Sequence, residues 1–230
     1  MKKVSILIPV FNEKDTLKLL LEKVEQANFA GLEKEIIMVD DCSSDGTTEI
    51  LKELSQNYKV LFHEKNQGKG AAIRTAVKEA TGDFVVIQDA DLEYLPDDYD
   101  KLLPILLNDE ADVVYGSRFL NVENSKNFIL KNKIANKFLT LLTNVLFGAT
   151  ITDMETCYKA FKREFIQGIT IKSDRFDFEP EITAKVMKQK ARLKEVPISY
   201  FGRGHEEGKK INWKDGVHAI FALIKFRFSD

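Results

Sequence analysis

The chain has 230 residues, 44% of them hydrophobic, and only five prolines, enough to bury a sizeable core and too apolar for a disordered chain. Thirty-four basic against 36 acidic residues give a net charge of −2 and a pI near 6.0, which argues against a broad basic face for nucleic acid. Cys42 and Cys157 are too few for a disulfide framework or a thiolate metal site, and no CxxC occurs. A reducing cytosol fits best, with both cysteines read as small packing residues.

The N-terminal stretch MKKVSILIPVFNE has two lysines and an apolar run too short for a signal peptide, interrupted by Asn12 and Glu13, so it reads as the first strand. The runs 4–9, 35–40, 59–63, 83–88 and 112–116 are continuously apolar and β-branched, as strands covered on both faces should be. Leu17, Leu20, Leu21 and Val24 fall on one helical stripe, as do Ile73, Ala76, Val77 and Ala80 after the Gly68-Lys69-Gly70 turn. Strand-helix-strand order with short connections predicts a doubly wound α/β sheet, mostly parallel, with helices on both faces. The second half is less regular: a helix over 130–147, a short strand in CYKAF, a helix over 179–190, a strand in RLKEVPISY and a helix from about Asn212. No window reaches the roughly eighteen apolar residues of a membrane-crossing helix. No linker separates the halves, which predicts one compact unit over 1–230.

In doubly wound sheets ligands bind beyond the carboxyl ends of the strands, and the polar clusters NE (12–13), DDCSSDGT (40–47) and DADLE (89–93) all fall there. Asp89, Asp91, Glu93, Asp97 and Asp98 crowd into ten residues, where like charges repel. Asp97 and Asp98 suit a helix first turn. Asp89, Asp91 and Glu93 precede that helix and offer hard oxygen ligands for Mg²⁺ or Mn²⁺ shared with a phosphate-bearing substrate. NQGKGAAIRT lacks the pattern of a P-loop or a dinucleotide fingerprint, the three histidines lack zinc spacing, and Ser117 has no nucleophile elbow. Metal-assisted transfer from a nucleotide is the leading chemistry.

VSILIPVFNE, VDDCSSDGT, NQGKGAAIRTA, DADLEY and GSRF, in this order and spacing, resemble an inverting family 2 glycosyltransferase of the GT-A fold. ITDMETCYKAFKRE, RFDFEPEITAKV and GRGHEEGKKINWKDG narrow the resemblance to the dolichyl-phosphate mannose or glucose synthase-like branch, the polyprenyl-phosphate glycosyltransferases. The resemblance implies a nucleotide-sugar-binding half over 1–116 and an acceptor-binding half over 117–230 with a C-terminal amphipathic helix. Pro9, Asn12 and Glu13 would line the nucleotide pocket, with Asp41 accepting from the base and Asp40 beside it, although a turn and helix cap would use the same pair. Lys69 would lie near the phosphates or sugar, or else be solvated. Asp89 would face the sugar or metal, Asp91 would coordinate the bridging cation, and Glu93 occupies a position that also contacts metal.

The acceptor implied is a polyprenyl phosphate, whose anionic oxygen needs positioning more than deprotonation. Arg118 and Arg203 suit bidentate phosphate binding, with Lys209 and Lys210 nearby in sequence. Asp153 matches the family's acid near the acceptor and is the general-base candidate. Glu179 and Glu181 are expected to organise the site or cap a helix. Trp213, Val217, Ile220, Phe221 and Ile224 form a stripe that fits either a core or a membrane interface, so the expected location is cytoplasmic, with peripheral contact on the cytoplasmic face of a membrane and room for a homo-oligomer. The same donor chemistry with a soluble saccharide or protein acceptor, or a non-catalytic nucleotide-sugar or lipid-binding module, stand as alternatives.

Overall fold

A computed structural model describes residues 1–120, 125–126, 130–203 and 213–229. In chain order the elements are β1 (Lys3–Val10), α1 (Leu17–Gln26), β2 (Glu33–Asp40), α2 (Thr47–Leu54), β3 (Lys59–Phe62), α3 (Lys69–Glu79), β4 (Phe84–Ile87), α4 (Tyr99–Leu107), β5 (Val113–Ser117), β6 (Ser125–Lys126), α5 (Leu130–Phe147), β7 (Lys159–Lys162), α6 (Arg163–Gln167), α7 (Phe178–Lys188), β8 (Leu193–Pro197), β9 (Tyr200–Phe201) and α8 (Trp213–Phe228). A seven-stranded sheet runs β3-β2-β1-β4-β7-β5-β8, and β6 pairs with β9 in a second, two-stranded sheet.

The apolar strand runs are explained by burial on both faces. Along β1, Val4, Ile6, Ile8 and Val10 enter one core with α1 and α4, while Leu7 points to the other face with Ala72, Ile73 and Ala76 of α3 and Ile182 of α7. β2 and β4 divide the same way, Ile36 and Met38 against Ile37 and Val39, and Phe84 and Val86 against Val85 and Ile87. Each such side chain withdrawn from water contributes about 1.5–3 kcal/mol before entropy is counted.

β7 lies antiparallel between β4 and β5, whereas the other pairings in the large sheet are parallel, in keeping with a mostly parallel sheet. One expectation needs correction. β3 is an edge strand with Lys59 and Phe62 exposed, so it is not covered on both faces. A third small core joins α5 to α8 through Leu139, Ile151, Met154, Ala219 and Leu223. The buried stripe of α8 is Ala219, Ala222, Leu223 and Phe226, one step around from the expected one; Val217, Phe221 and Ile224 are exposed. The side chain of Trp213 lies outside the described residues, as do Lys209 and Lys210.

Candidate active site

The parallel strands β1, β2 and β4 end side by side, so the turns that follow them share one rim. Asn12 sits in the left-handed region at φ 52, a conformation an asparagine side chain tolerates better than most. Its N–H donates to Ser43 Oγ, and its Oδ1 accepts from the Ser44 N–H, tying the first turn to the second. Pro9 is the penultimate residue of β1, paired in register with Val39.

Asp40 and Asp41 are both buried and engaged. Asp40 accepts from the Ser43 N–H and the Thr48 hydroxyl. Asp41 accepts from the Gln67 and Gly68 N–H groups at 2.8 and 2.7 Å, and its Oδ1 lies 2.8 Å from His63 Nδ1. Asp41 therefore holds the loop before α3. Asp45 and Thr47 supply the local turn and the hydroxyl that receives the Glu13 N–H.

The acid cluster is bound by two internal cations. Lys69 Nζ meets Asp89 at 2.8 Å and Glu179 at 3.1 Å, with Cys157 Sγ at 2.9 Å. Burial would lower the Lys69 pKa, but Asp89, Cys157 and Glu179 hold it well above the ordinary value, so this lysine is paired and not solvated. Arg203 forks onto Glu13 at 3.1 and 3.2 Å and onto Asp91 at 3.1 Å, while its buried Nε has no partner among the described residues. Burial and the charges of Asp89 and Glu93 push Asp91 up to about 7, against the pull of Arg203. Glu93 turns away: it accepts from the Tyr200 hydroxyl at 2.9 Å and the Arg203 N–H at 2.8 Å.

Among the described residues no three carboxylate, imidazole or thiol groups converge as a ready-made metal cage, which corrects the expected triad. Asp89 and Asp91 still fit a divalent ion held by one or two carboxylates plus phosphate oxygens. Burial raises Asp91 first and the neighbouring Asp89 and Glu93 charges raise it further, a cost that a cation placed between Asp89 and Asp91 would relieve.

On the acceptor side, Arg118 clamps Asp153 through Nε and Nη2, both at 2.7 Å, and through its own N–H at 3.0 Å. Asp153 is 0% exposed. The carboxylate of Asp153, the general-base candidate, is paired with the guanidinium here, and Glu195 fixes its backbone through the Asp153 and Thr152 N–H groups. The Arg118 guanidinium lies 5.2 Å from the centre of the Tyr200 ring. Tyr200 thus joins Arg118 to Glu93 and hence to Arg203. Glu181 is structural, accepting from the Lys172 and Ser173 N–H groups and from Lys185.

Sequence patterns did not single out Tyr200, Glu155 or the Cys157 contact. Glu155 Oε1 is enclosed with no hydrogen-bond partner among the described residues, and burial with the Glu179 charge raises its carboxyl to about 8, opposed by Lys159 and Arg118. The available signal was position alone: Glu155 lies two residues from Asp153, and Tyr200 three from Arg203.

The family model described as glycosyl transferase family 2 matches residues 5–170, a span that holds the rim after β1, β2 and β4 and the Arg118–Asp153 pair but not Glu179, Glu181 and its partners, Glu195, Tyr200 or Arg203. The chain belongs to glycosyl transferase family 2. Among the family's curated members, it is 29% identical to the UDP-N-acetylglucosamine–dolichyl-phosphate N-acetylglucosaminyltransferase of Methanococcus voltae, over 98% of this chain and 96% of that one. It is 31% identical to the dolichol-phosphate mannosyltransferase of Pyrococcus furiosus, over 90% of this chain and 59% of that longer protein. A solved neighbour is the glucosyl-3-phosphoglycerate synthase of Mycobacterium tuberculosis with Mn²⁺, UDP and phosphoglyceric acid, with TM-score 0.76, 17% identity, and coverage of 100% of this chain and 80% of that one. That likeness carries the fold, which is GT-A. The family 2 chain is a glycosyltransferase.

Proposed function

We propose that this glycosyltransferase moves a hexose, with inversion, from a nucleoside diphosphate sugar to a polyprenyl phosphate, using Mg²⁺ or Mn²⁺. The observation that carries the reading is the continuous path from Arg118 through Tyr200 and Glu93 to Arg203, linking two guanidinium groups to the acid cluster at the sheet edge. The names of the two archaeal relatives, both acting on dolichyl phosphates, support the same acceptor class, and structural neighbours with UDP and Mn²⁺ or Mg²⁺ support a divalent ion.

In this reading, the rim after β1 and β2 receives the nucleotide, and Asp41 holds the loop before α3 in place. Lys69 fixes the orientation of Asp89 toward the donor sugar. Asp89 and Asp91 would hold the ion, which would offset charge on the departing diphosphate. An oxygen of the acceptor phosphate attacks the anomeric carbon on the face opposite the diphosphate. The new carbon–oxygen bond forms as the old one breaks, and the nucleoside diphosphate leaves with the electron pair. The acceptor is already anionic, so no residue need take a proton, which agrees with Asp153 being committed to Arg118. Arg203 Nε, buried and without a partner among the described residues, is one donor for a phosphate oxygen.

Thermal unfolding with UDP, GDP and their sugars, each with Mn²⁺ or chelator, tests the donor half of the reading on wild type and Asp91→Asn. A ligand at a hundred times its Kd stabilises by about 2.7 kcal/mol. One nucleotide should raise the midpoint only with metal and only with Asp91 intact. Equal shifts in chelator, or none with any nucleotide, would remove the metal-bridged donor. Transfer from the binding donor to a short-chain polyprenyl phosphate then tests the acceptor.

A further inference from the structure

Of the large hydrophobic side chains exposed among the described residues, nine of fourteen lie on two helices that pack against each other. On α5, Leu130, Ile134, Phe138, Leu141 and Val145 recur at spacings of four, four, three and four; on α8, Val217, Phe221, Ile224 and Phe228 recur at four, three and four. Both helices also own a buried stripe on the opposite side, Leu139 and Thr143 on α5 and Ala219, Leu223 and Phe226 on α8. The outward stripes are therefore surplus to what the fold needs. Phe138 is 54% exposed, Val145 73%, Phe221 66% and Phe228 81%. Scattered apolar side chains need no account, but an aligned set of this size on adjacent helices marks a contact surface.

Charge decides what the surface meets. α5 carries Lys131, Lys133 and Lys137 and no acid, and the last turn of α8 carries Lys225 and Arg227 against Asp215 in its first turn. In a chain of net charge −2 this is a local excess of positive charge. A second copy docking face to face through a two-fold would set these cations against one another, whereas an anionic lipid surface complements them. Arg227 also donates to Leu146 O at 2.8 Å, locking the ends of the two helices together. No helix among the described residues is long and apolar enough to cross a membrane.

We propose that the outward faces of α5 and α8 form one docking surface for an anionic lipid bilayer, with the apolar stripes lying at the acyl boundary and the lysines and Arg227 at headgroup level. The proposal builds on the lipid-acceptor reading: α5 follows Arg118 in the chain and α8 follows Arg203, so docking would bring the phosphate-binding side of the site toward the surface that holds the acceptor.

Docking is measured without donor or acceptor, by co-sedimentation with phosphatidylcholine vesicles with and without phosphatidylglycerol, at low and high salt. Wild type should bind the anionic vesicles at least about tenfold more tightly than the neutral ones, since each cation near such a surface contributes about 1 kcal/mol. Binding should weaken with salt. The variant Phe138→Ser/Phe221→Ser should lose most of the binding, and Lys131→Glu/Lys133→Glu the preference for anionic lipid. Both should keep the wild-type unfolding midpoint and turnover with a water-soluble short-chain acceptor. A folded wild type that ignores both vesicles, or a Phe138→Ser/Phe221→Ser variant that binds them unchanged, would overturn the proposal. So would a dimer in light scattering that these substitutions break. Vesicle binding without transfer to any polyprenyl phosphate would overturn the acceptor reading while leaving the docking surface standing.

Discussion

Arg203 spans Glu13 and Asp91 with one planar group, which a lysine ammonium cannot do. We expect Arg203→Lys to keep a near-normal unfolding midpoint, since the residue is half-buried, and to lower kcat/KM about a hundredfold. Losing one or two charge-assisted hydrogen bonds of about 1.5–3 kcal/mol each accounts for a loss of that order. Steady-state kinetics with the preferred donor would decide it; unchanged kcat/KM would mean the guanidinium serves only the fold. Glu155 makes a different prediction. Its carboxyl has an ordinary value of 4.5 and is raised to about 8 in the folded protein. Between those values the native state binds more protons than the unfolded chain, so this group's stabilisation is complete below 4.5 and is lost as pH rises through about 8. Glu155→Gln should flatten the fall in stability toward pH 8 and raise stability above it by about 1–3 kcal/mol, because the amide carries no charge to be desolvated or repelled by Glu179. An identical pH slope for the variant would show that the carboxyl does not titrate there. The motif residues were legible because their types fit one chemistry, whereas Glu155, inside ITDMETCYKAFKRE, and Tyr200, at the end of RLKEVPISY, had no role of their own in those stretches. Only the folded arrangement brings them to the site.

The loop before α3 depends on glycine for reasons of space. A Cβ on Gly70 would press on the Ser173 and Arg175 carbonyl oxygens, and Gly68, at φ +104, faces the Asp174 carbonyl. The Ala71 N–H donates to Asp174 O and Arg74 pairs with the Asp174 carboxylate, so α3 is docked tightly on the segment that leads into α7 and Glu179. Alanine in a helix is ordinarily better than glycine by about 1 kcal/mol. At Gly216, in α8 with none of the described residues near its Cβ direction, Gly→Ala should therefore stabilise. At Gly70 the backbone contact outweighs that gain, and Gly70→Ala should destabilise by about 1–3 kcal/mol and weaken donor-induced stabilisation by displacing Lys69. Paired denaturation curves for the two variants test the sign; equal shifts would mean that the 173–175 segment yields freely. The helix was legible from its apolar spacing, and the Gly-Lys-Gly turn from its composition. Its partner segment was not, because one hundred residues separate Arg74 from Asp174 and no periodicity reports a contact at that range.

The sequence suggested two successive halves, and the strand order interleaves them. β7 comes from residues 159–162, yet it sits between β4 and β5; β5 has only β7 and β8 as neighbours, so within 1–116 it has no strand to pair with. The direction of β7 was hidden because a strand buried on both faces has the same apolar run whichever way it points. Lys69 with Glu179 and α3 with the 173–175 segment add further ties across the division. A fragment ending at residue 116 would leave the Val113, Val114 and Tyr115 ladder groups open and expose the face that β7 covers, at a cost that its remaining strands cannot offset. We therefore expect that fragment to show no cooperative unfolding. The intact chain should unfold in one transition, although chains beyond about 150 residues often do not. Trp213, the only tryptophan, lies in α8, whereas far-UV circular dichroism averages the whole chain. The two probes should give coincident urea curves. A fluorescence transition at lower urea would instead show α8 and its small core releasing before the interleaved sheet, and the protein would have to be treated as two units of unequal stability.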